Sequence, residues 1–306
     1  MPVAFLTPAQ GHKFLPGWVT ISGMNTQAHP EDAPIGIFDS GLGGLSILRH
    51  VRAQLPHEHL LYVADTSFAP YGDKSEEVIG ARSLAIARFL VGKQAKALVV
   101  ACNTATISAV KLLRERFPDM PIVGVEPGLK PAAGTSRTGR IGVLATERTL
   151  AGAKFLQLRD QVSAATGATF LLQPCRGLVD QIELGDAEAT TQLLRHYVTP
   201  LLEQGADTLV LGCTHYPLVR ASIEDVIDEA GAQDITLVDT GDAVARQLVR
   251  LLDAAGLLRR DEARGPARLE GYTSASATAL SAAFNSLVGI DPPVHETDFD
   301  VGFRAS

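Results

Sequence analysis

The sequence has few of the residues that build metal sites, disulfide frameworks or membrane spans. Its 306 residues include three cysteines, three methionines and one tryptophan. The cysteines at 102, 175 and 213 are too few and too far apart for a disulfide framework, so we expect free thiols in a reducing compartment. No apolar run reaches the ~18 residues that span a bilayer, and the opening residues lack the basic start of a secretory signal. We therefore expect a cytoplasmic protein without a membrane partner.

Basic stretches and nucleotide-binding fingerprints are also missing. Lysine and arginine total 27 against 34 acidic residues, which gives a formal net charge of −7. No basic run could follow a nucleic-acid backbone, so nucleic acid is not an expected partner. The glycines of "FDSGLGGLS" fit neither a Walker loop, because its lysine is absent, nor the G-x-G-x-x-G pattern.

Short apolar strands that alternate with helical patterns dominate the chain from Ile35 onward. Examples are "IGIF" followed by "GGLSILRHVRAQL", and "ALVVA" followed by "ATISAVKLLRERF". Repeated units of this kind predict parallel sheets with helices on both faces. Residues 1–33 lack such periodicity, and we predict an irregular extension there. The extension is either a regulatory segment or an artefact of the chosen start codon, in which case Met24 is the true start.

The pattern of strands and motifs then begins again in the second half. "RIGVLATERTLAGAKFL" resembles "PIGIFDSGLGGLSIL", "LVLGCTHYPLV" resembles "LVVACNTATIS", and "ITLVDTGDAV" resembles "IVGVEPGLKP". These matches come in the same order at a nearly constant separation, which favours an internal repeat over the chance likeness of apolar strands. The fold class that we predict is α/β, with two similar three-layer domains, mainly parallel sheets, pseudo-twofold symmetry and an active site in the cleft between them.

The residues after Asp239 are too few for a third domain, so we expect them to complete the first one. The predicted first domain therefore comprises residues 34–128 plus 240–290, and the second comprises 129–239. Residues 291–306 are predicted to form a C-terminal tail. Clefts between domains are common places for small-ligand sites, and in this arrangement Cys102 and Cys213 face each other.

Both of these cysteines stand at the carboxyl end of a predicted strand, directly before a helix, where ligands of open α/β sheets bind. Backbone N–H groups and the helix dipole at such a place favour the thiolate, so we expect lowered thiol pKa values. A single cysteine could equally be buried packing. Two cysteines at matching positions of a repeat favour chemistry.

Several polar residues accompany the cysteines. Asp39 and Ser40 precede a glycine-rich turn that can bind an anion or serve only as a strand-to-helix connection. His215 is either an ordinary loop residue or the partner that helps to ionise Cys213, and Glu183 is a candidate to reach the cleft. A zinc site made of the two cysteines, His215 and Asp39 is a weaker alternative, because no paired ligand motif is present. Cys175 has no counterpart in the first half and is predicted to be structural.

The motifs "IGIFDSGLGG", "APYG", "ACNTAT", "IELGD", "LGCTHYPL" and "LVDTGD", in this order, closely resemble those of the glutamate racemase family. The resemblance extends from about Ile35 to about Val288. It implies two α/β domains and cofactor-independent interconversion of L- and D-glutamate, which supplies D-glutamate to peptidoglycan synthesis. The residues carried over by motif are the catalytic set Cys102, Cys213, Asp39, His215 and Glu183 and the substrate contacts Asp39, Ser40, Tyr71, Gly72, Asn103, Thr104, Thr214 and His215.

Elementary chemistry agrees with this implication, because racemisation of a carbon acid needs a base on one face and an acid on the other. The resemblance implies that Cys213 acts on L-glutamate and Cys102 on D-glutamate. We expect no cofactor and no metal, a homodimer, and regulation by a peptidoglycan precursor as in some members of the family. The alternatives are a racemase for aspartate or a related amino acid, and a non-catalytic module that binds small acids.

Overall fold

The computed structural model describes residues 30–260 and 265–299. The predicted extension therefore lies outside the described residues except for residues 30–33, where a short 3-10 helix covers Pro30–Asp32. The possible start at Met24 and residues 300–306 of the predicted tail are outside as well. Within the described ranges, no helix is long and apolar enough to cross a membrane.

The described strands form two sheets in which every pairing is parallel. The six-stranded sheet contains β1 (Ile35–Asp39), β2 (Leu60–Ala64), β3 (Ala97–Val100), β4 (Ile122–Gly124), β9 (Leu269–Thr273) and β10 (Val294–Glu296). The four-stranded sheet contains β5 (Arg140–Ala145), β6 (Thr169–Pro174), β7 (Thr208–Leu211) and β8 (Thr236–Val238).

Helices connect these strands. In the first half they are α1 (Leu45–Gln54), α2 (Glu76–Gly92), α3 (Asn103–Arg116) and α4 (Leu129–Thr135). The second half has α5 (Glu147–Ala151), α6 (Ala153–Thr166), α7 (Leu178–Leu184), α8 (Ala187–Glu203) and α9 (Arg220–Glu229). α10 (Gly241–Ala254) and α11 (Ala277–Ala283) follow, and shorter helical turns cover Thr66–Phe68, Tyr71–Asp73, Tyr216–Val219 and Phe284–Val288.

The two sheets share one strand order. The first contains β2-β1-β3-β4 and the second is β6-β5-β7-β8, so each strand of the second half occupies the place of its counterpart in the first. Buried apolar clusters cover both faces of each sheet, because helices pack on both sides. The predicted fold class of two α/β domains with parallel sheets is confirmed.

The end of the chain adds two strands to the first sheet. β9 pairs with β2 from Leu60↔Leu269 to Ala64↔Thr273, and β10 pairs with β9. α10 places Val244 and Leu248 in the same apolar cluster as residues of α1. The strand Val294–Glu296 falls within the range predicted as a tail. The sequence did not predict it, because three residues are too few to show the alternating apolar pattern of a strand. The domain boundaries themselves stay a proposal.

Candidate active site

The carboxyl ends of the central strands place the predicted site residues. Asp39 is the last residue of β1. One residue separates the end of β3 from Cys102, and one residue separates the end of the matching strand β7 from Cys213. Parallel strands end at one edge of a sheet, so Asp39 and Cys102 lie side by side. The side chains of all three are buried, with relative exposures of 0%, 5% and 8%.

Cys102 forms the N-cap of α3, where its Sγ accepts a hydrogen bond from the backbone N–H of Ala105 at 3.4 Å. The Oγ of Ser40 lies 3.7 Å from this sulfur. The expectation of a lowered thiol pKa is wrong for Cys102. Burial, with the nearby Asp39 carboxylate, raises the pKa of Cys102 well above its usual value, and the Ala105 N–H only partly offsets this. Cys102 is a thiol in the unliganded protein.

The Asp39 carboxylate fixes the turn that leads into α1. Oδ1 accepts from the backbone N–H of Ser40 at 2.7 Å, and Oδ2 accepts from that of Gly44 at 2.5 Å. Oδ1 also accepts from the Ser40 hydroxyl at 3.3 Å, and Oδ2 from Thr214 Oγ1 at 3.4 Å. Burial raises the pKa of Asp39, although His215 and the backbone amides oppose this. Asp39 thus caps the turn and also contacts the second half of the chain.

The glycine-rich turn receives side chains of the second domain at close range. The N–H of Leu42 donates to Glu183 Oε1 at 3.0 Å. A Cβ on Gly41 would lie 2.0 Å from that same oxygen, and one on Gly43 would lie 2.4 Å from His215 Nδ1. Only glycine permits this approach. The anion that this turn binds in the unliganded protein is the Glu183 carboxylate.

Cys213 stands at the start of a second chain of polar groups. Its Sγ lies 3.7 Å from His215 Nδ1, and His215 Nε2 lies 2.8 Å from Glu183 Oε1. Burial lowers the pKa of His215, but the contacts with Cys213 and Glu183 outweigh it and raise this pKa well above its usual value. Burial raises the Glu183 pKa, but the His215 contact more than offsets it, so the carboxyl pKa is lowered. The result is an imidazolium whose Nδ1 lies 3.7 Å from the Cys213 sulfur.

The backbone N–H of Gly43 also lies 3.1 Å from His215 Nε2. This nitrogen can accept from Gly43 only when it carries no proton, whereas it donates to Glu183 when it does. The site thus offers a partner for each protonation state of His215.

The two halves of the chain meet beside the two cysteines. The charge of Cys213 is among the causes that raise the pKa of Cys102, so the two sulfurs are within electrostatic reach. Asn103, beside Cys102, lines the same cavity as Cys213 and Thr214. The hydrogen bond from Ser46 Oγ to the Thr214 carbonyl, at 2.9 Å, joins the two halves at this place.

The family model for Asp/Glu/hydantoin racemases matches residues 45–248. This chain belongs to that family. A glutamate racemase from Ralstonia nicotianae is 50% identical over 277 residues, which cover 90% of this chain and 95% of the relative. One from Pseudomonas aeruginosa is 51% identical over 238 residues, which cover 77% and 88%. The resemblance to glutamate racemases predicted from the motifs is confirmed.

Solved structures of the racemase family have the same architecture. A glutamate racemase isoform from Bacillus anthracis has a TM-score of 0.78 at 28% identity, and the match covers 88% of this chain and 98% of that one. The Escherichia coli glutamate racemase, in complex with L-glutamate and the activator UDP-MurNAc-ala, has a TM-score of 0.73 at 31% identity, with coverages of 86% and 97%.

Three other residues predicted by the racemase motifs have partners of their own: Thr104, Gly72 and Tyr71. Thr104 Oγ1 lies 3.1 Å from Thr146 Oγ1, across the boundary between the halves. Gly72 also packs against Thr146, since a Cβ added to Gly72 would lie 3.3 Å from Thr146 Cβ. Tyr71 is buried in the apolar cluster that contains Cys102, but its hydroxyl bonds to Asp65 and not to a predicted site residue.

Sequence reasoning missed Thr146 and Thr149, whose hydroxyls lie 3.0 Å apart and both contact Thr104. The internal repeat of the sequence could have identified Thr146. Ile141 corresponds to Ile35 there, so Thr146 takes the place of Ser40, the polar residue after the strand. A position-by-position comparison of the two halves would have added Thr146 to the candidate set.

Cys175 belongs to the apolar cluster that also contains Cys213, and its Sγ donates to the Gln173 carbonyl at 3.4 Å. It is 4% exposed and packs in an apolar cluster of the second half, and burial raises its pKa to about 12. Among the residues that the structure describes, no group of three or more His, Cys, Asp or Glu side chains is arranged to hold a metal ion.

Proposed function

We propose that this protein interconverts L- and D-glutamate by proton transfer between the substrate Cα and two thiols, without a cofactor or a metal. The observation that carries the proposal is that each thiol has its own polar chain. Cys102 lies beside Ser40 and Asp39, and Cys213 lies beside His215 and Glu183. A module that only bound small acids would not need a polar chain beside each of two thiols.

The different surroundings of the two sulfurs assign their roles in the free protein. Cys102, with its raised pKa, holds a proton, and the Cys213 sulfur lies 3.7 Å from His215 Nδ1, so we assign Cys213 as the base that acts on L-glutamate. The Cys213 thiolate removes the α-proton of L-glutamate, and the bond electrons stay on Cα. The Cys102 thiol then donates its proton to the opposite face. D-glutamate leaves, with Cys213 as the thiol and Cys102 as the thiolate, and D-glutamate reverses each step.

The α-proton is weakly acidic, so the developing carbanion needs hydrogen-bond donors at the α-carboxylate. Asn103 is 4% exposed, and its Nδ2 has no hydrogen-bond partner in the described part of the chain. A buried amide donor without a hydrogen-bond partner lowers the free energy of unfolding. We assign it to the substrate carboxylate, with Thr214 on the opposite wall.

The direct test is to follow the optical rotation of L-glutamate after mixing with the protein. We expect the rotation to decay to zero, and D-glutamate to behave as the mirror image. Decay with L-aspartate and not with L-glutamate would favour an aspartate racemase instead. Binding of either acid without any decay would favour a binding module.

Chemical modification should distinguish thiol chemistry from metal chemistry. We expect full activity after exhaustive chelation, and inactivation by iodoacetamide that glutamate slows, because the substrate covers both sulfurs. The measurement is residual activity against time with and without glutamate. Loss of activity in chelator with recovery on added zinc would contradict the proposal and favour the zinc site.

We also propose that a peptidoglycan precursor regulates the enzyme. A second cavity of about 640 Å³ lies between α3, α6 and α10. Arg114, Lys130 and Lys154 line it together with one carboxylate, Glu126, so it suits an anionic ligand. Activity should rise with added UDP-MurNAc-ala, the activator named for the Escherichia coli structure. The change Lys154→Gln should weaken this response, and an unchanged rate at saturating precursor would exclude it.

The cellular role follows from the same chemistry. We propose that the protein is a cytoplasmic homodimer that supplies D-glutamate to peptidoglycan synthesis. Its gene should restore growth of a bacterium that requires D-glutamate. The proposed homodimer has its own test, in which light scattering should give twice the mass of the chain. A failure to restore growth by an active, expressed enzyme would contradict the role in the cell wall.

A further inference from the structure

Arg82 on α2 links two parts of the first domain that are distant in sequence. Its side chain is buried, and its Nε and Nη2 donate to the two carboxylate oxygens of Asp65 at 2.9 and 2.6 Å. Its Nη1 donates to the backbone carbonyl of Phe299 at 2.7 Å. One planar guanidinium thus joins the end of β2 to the C-terminal segment, which a lysine could not do at both places.

Asp65 also holds the loop that carries Tyr71. The Tyr71 hydroxyl donates to Asp65 Oδ2 at 2.6 Å, so the tyrosine has no proton left to offer a ligand. The ring forms part of the buried wall beside Cys102, and the next residue, Gly72, contacts Thr146 across the cleft. The position of this wall depends on the Asp65 carboxylate.

Residues that follow the second domain support this loop indirectly through α2 and directly through Ser274. Phe299 is 2% exposed, and its ring lies edge to face with Phe89 at 5.2 Å. The Arg82 guanidinium stacks on Phe68 of the loop, 3.8 Å from the ring centroid. Ser67 bonds to Ser274 at the end of β9 through both its N–H and its hydroxyl. The loop therefore rests on chain segments that come after the second domain.

We propose that Arg82 and Phe299 are positioning residues for substrate binding, which act through Asp65 on the loop of residues 66–74. The inference rests on the proposed function, because it assigns the Tyr71 wall to the glutamate site. Phe299 then belongs to the support of the active site, with Arg82 as its link to Asp65. A loosened loop should weaken glutamate binding and leave proton transfer between the thiols nearly unchanged.

The test compares the full-length variants Phe299→Leu and Arg82→Lys with Phe117→Leu, a matched control. Phe117 packs against the same apolar cluster but lies at the far end of α3 from Cys102. The first two variants should raise KM for glutamate about 10-fold with kcat within about 2-fold, as expected when binding is lost equally from ground and transition states. The control should lower only the melting temperature.

Hydrogen–deuterium exchange of residues 66–74 gives a second readout that needs no substrate. Exchange there should be faster in Phe299→Leu and Arg82→Lys than in Phe117→Leu at temperatures where all three are folded. Unchanged exchange, equal acceleration in the control, or faster exchange without a rise in KM would each overturn the inference. If the unmodified enzyme has no activity on glutamate, the proposed function fails, and exchange alone then decides whether the C-terminal segment holds the loop.

Discussion

Replacing Cys102 or Cys213 with alanine should abolish racemisation in both directions. Each turnover needs one sulfur to remove a proton and the other to deliver one, so neither thiol can substitute for its partner. A positioned acid or base contributes ~10²–10⁴-fold, and we expect at least this loss for each single change. The measurement is the initial rate from L-glutamate and from D-glutamate for each variant, followed by optical rotation.

Cys175→Ala is the matched control, because it removes a buried sulfur that packs in an apolar cluster of the second half. It should cost stability, by about 1 kcal/mol as a typical small core truncation does, and leave the rates close to those of the unmodified enzyme. A Cys102→Ala or Cys213→Ala enzyme that racemised at a rate like this control would remove the basis of the two-thiol proposal.

The change His215→Asn should produce the next largest loss. Without the imidazole, Cys213 loses the neighbour that can accept its proton, and Glu183 loses its partner at 2.8 Å. We expect kcat/KM to fall by about 10- to 100-fold, part of the range typical of one assisting group. The two enantiomers have equal free energy in water, so kcat/KM must fall by the same factor in both directions.

The pH dependence of this variant provides the mechanistic readout. Raising the pH should restore part of its activity, because hydroxide can then remove the thiol proton that the imidazole accepts in the unmodified enzyme. His196→Asn, on the exposed face of α8, is the control and should match the unmodified enzyme at every pH. A His215→Asn profile parallel to that of the control would mean that His215 only shapes the loop.

The internal repeat made much of the fold predictable from sequence. Each strand of the second half pairs as its counterpart does, because local apolar patterns and short connections determine parallel βα units. The same repeat could have identified Thr146 through Ser40. The strand Val294–Glu296 could not be found this way, since it exists only through its pairing with β9.

The electrostatics of the site were less predictable. The position of Cys102 at a helix start suggested an easily formed thiolate, yet complete burial and the Asp39 carboxylate outweigh the N-terminal amide. Burial depends on what α2, the neighbouring strands and the C-terminal segment place around the residue, which no local pattern contains. The contact between Glu183 and the glycine-rich turn likewise joins segments 141 positions apart.

The central claim, that two thiols on opposite faces share each turnover, is tested most directly by racemising L-glutamate in heavy water. The thiol that delivers the new proton has exchanged with solvent before substrate binds, while the opposite sulfur keeps the proton it removed. The earliest D-glutamate should therefore carry deuterium at Cα almost completely, and the remaining L-glutamate should stay protiated. Substantial protium at Cα of the earliest D-glutamate would show one base serving both faces and would contradict the account.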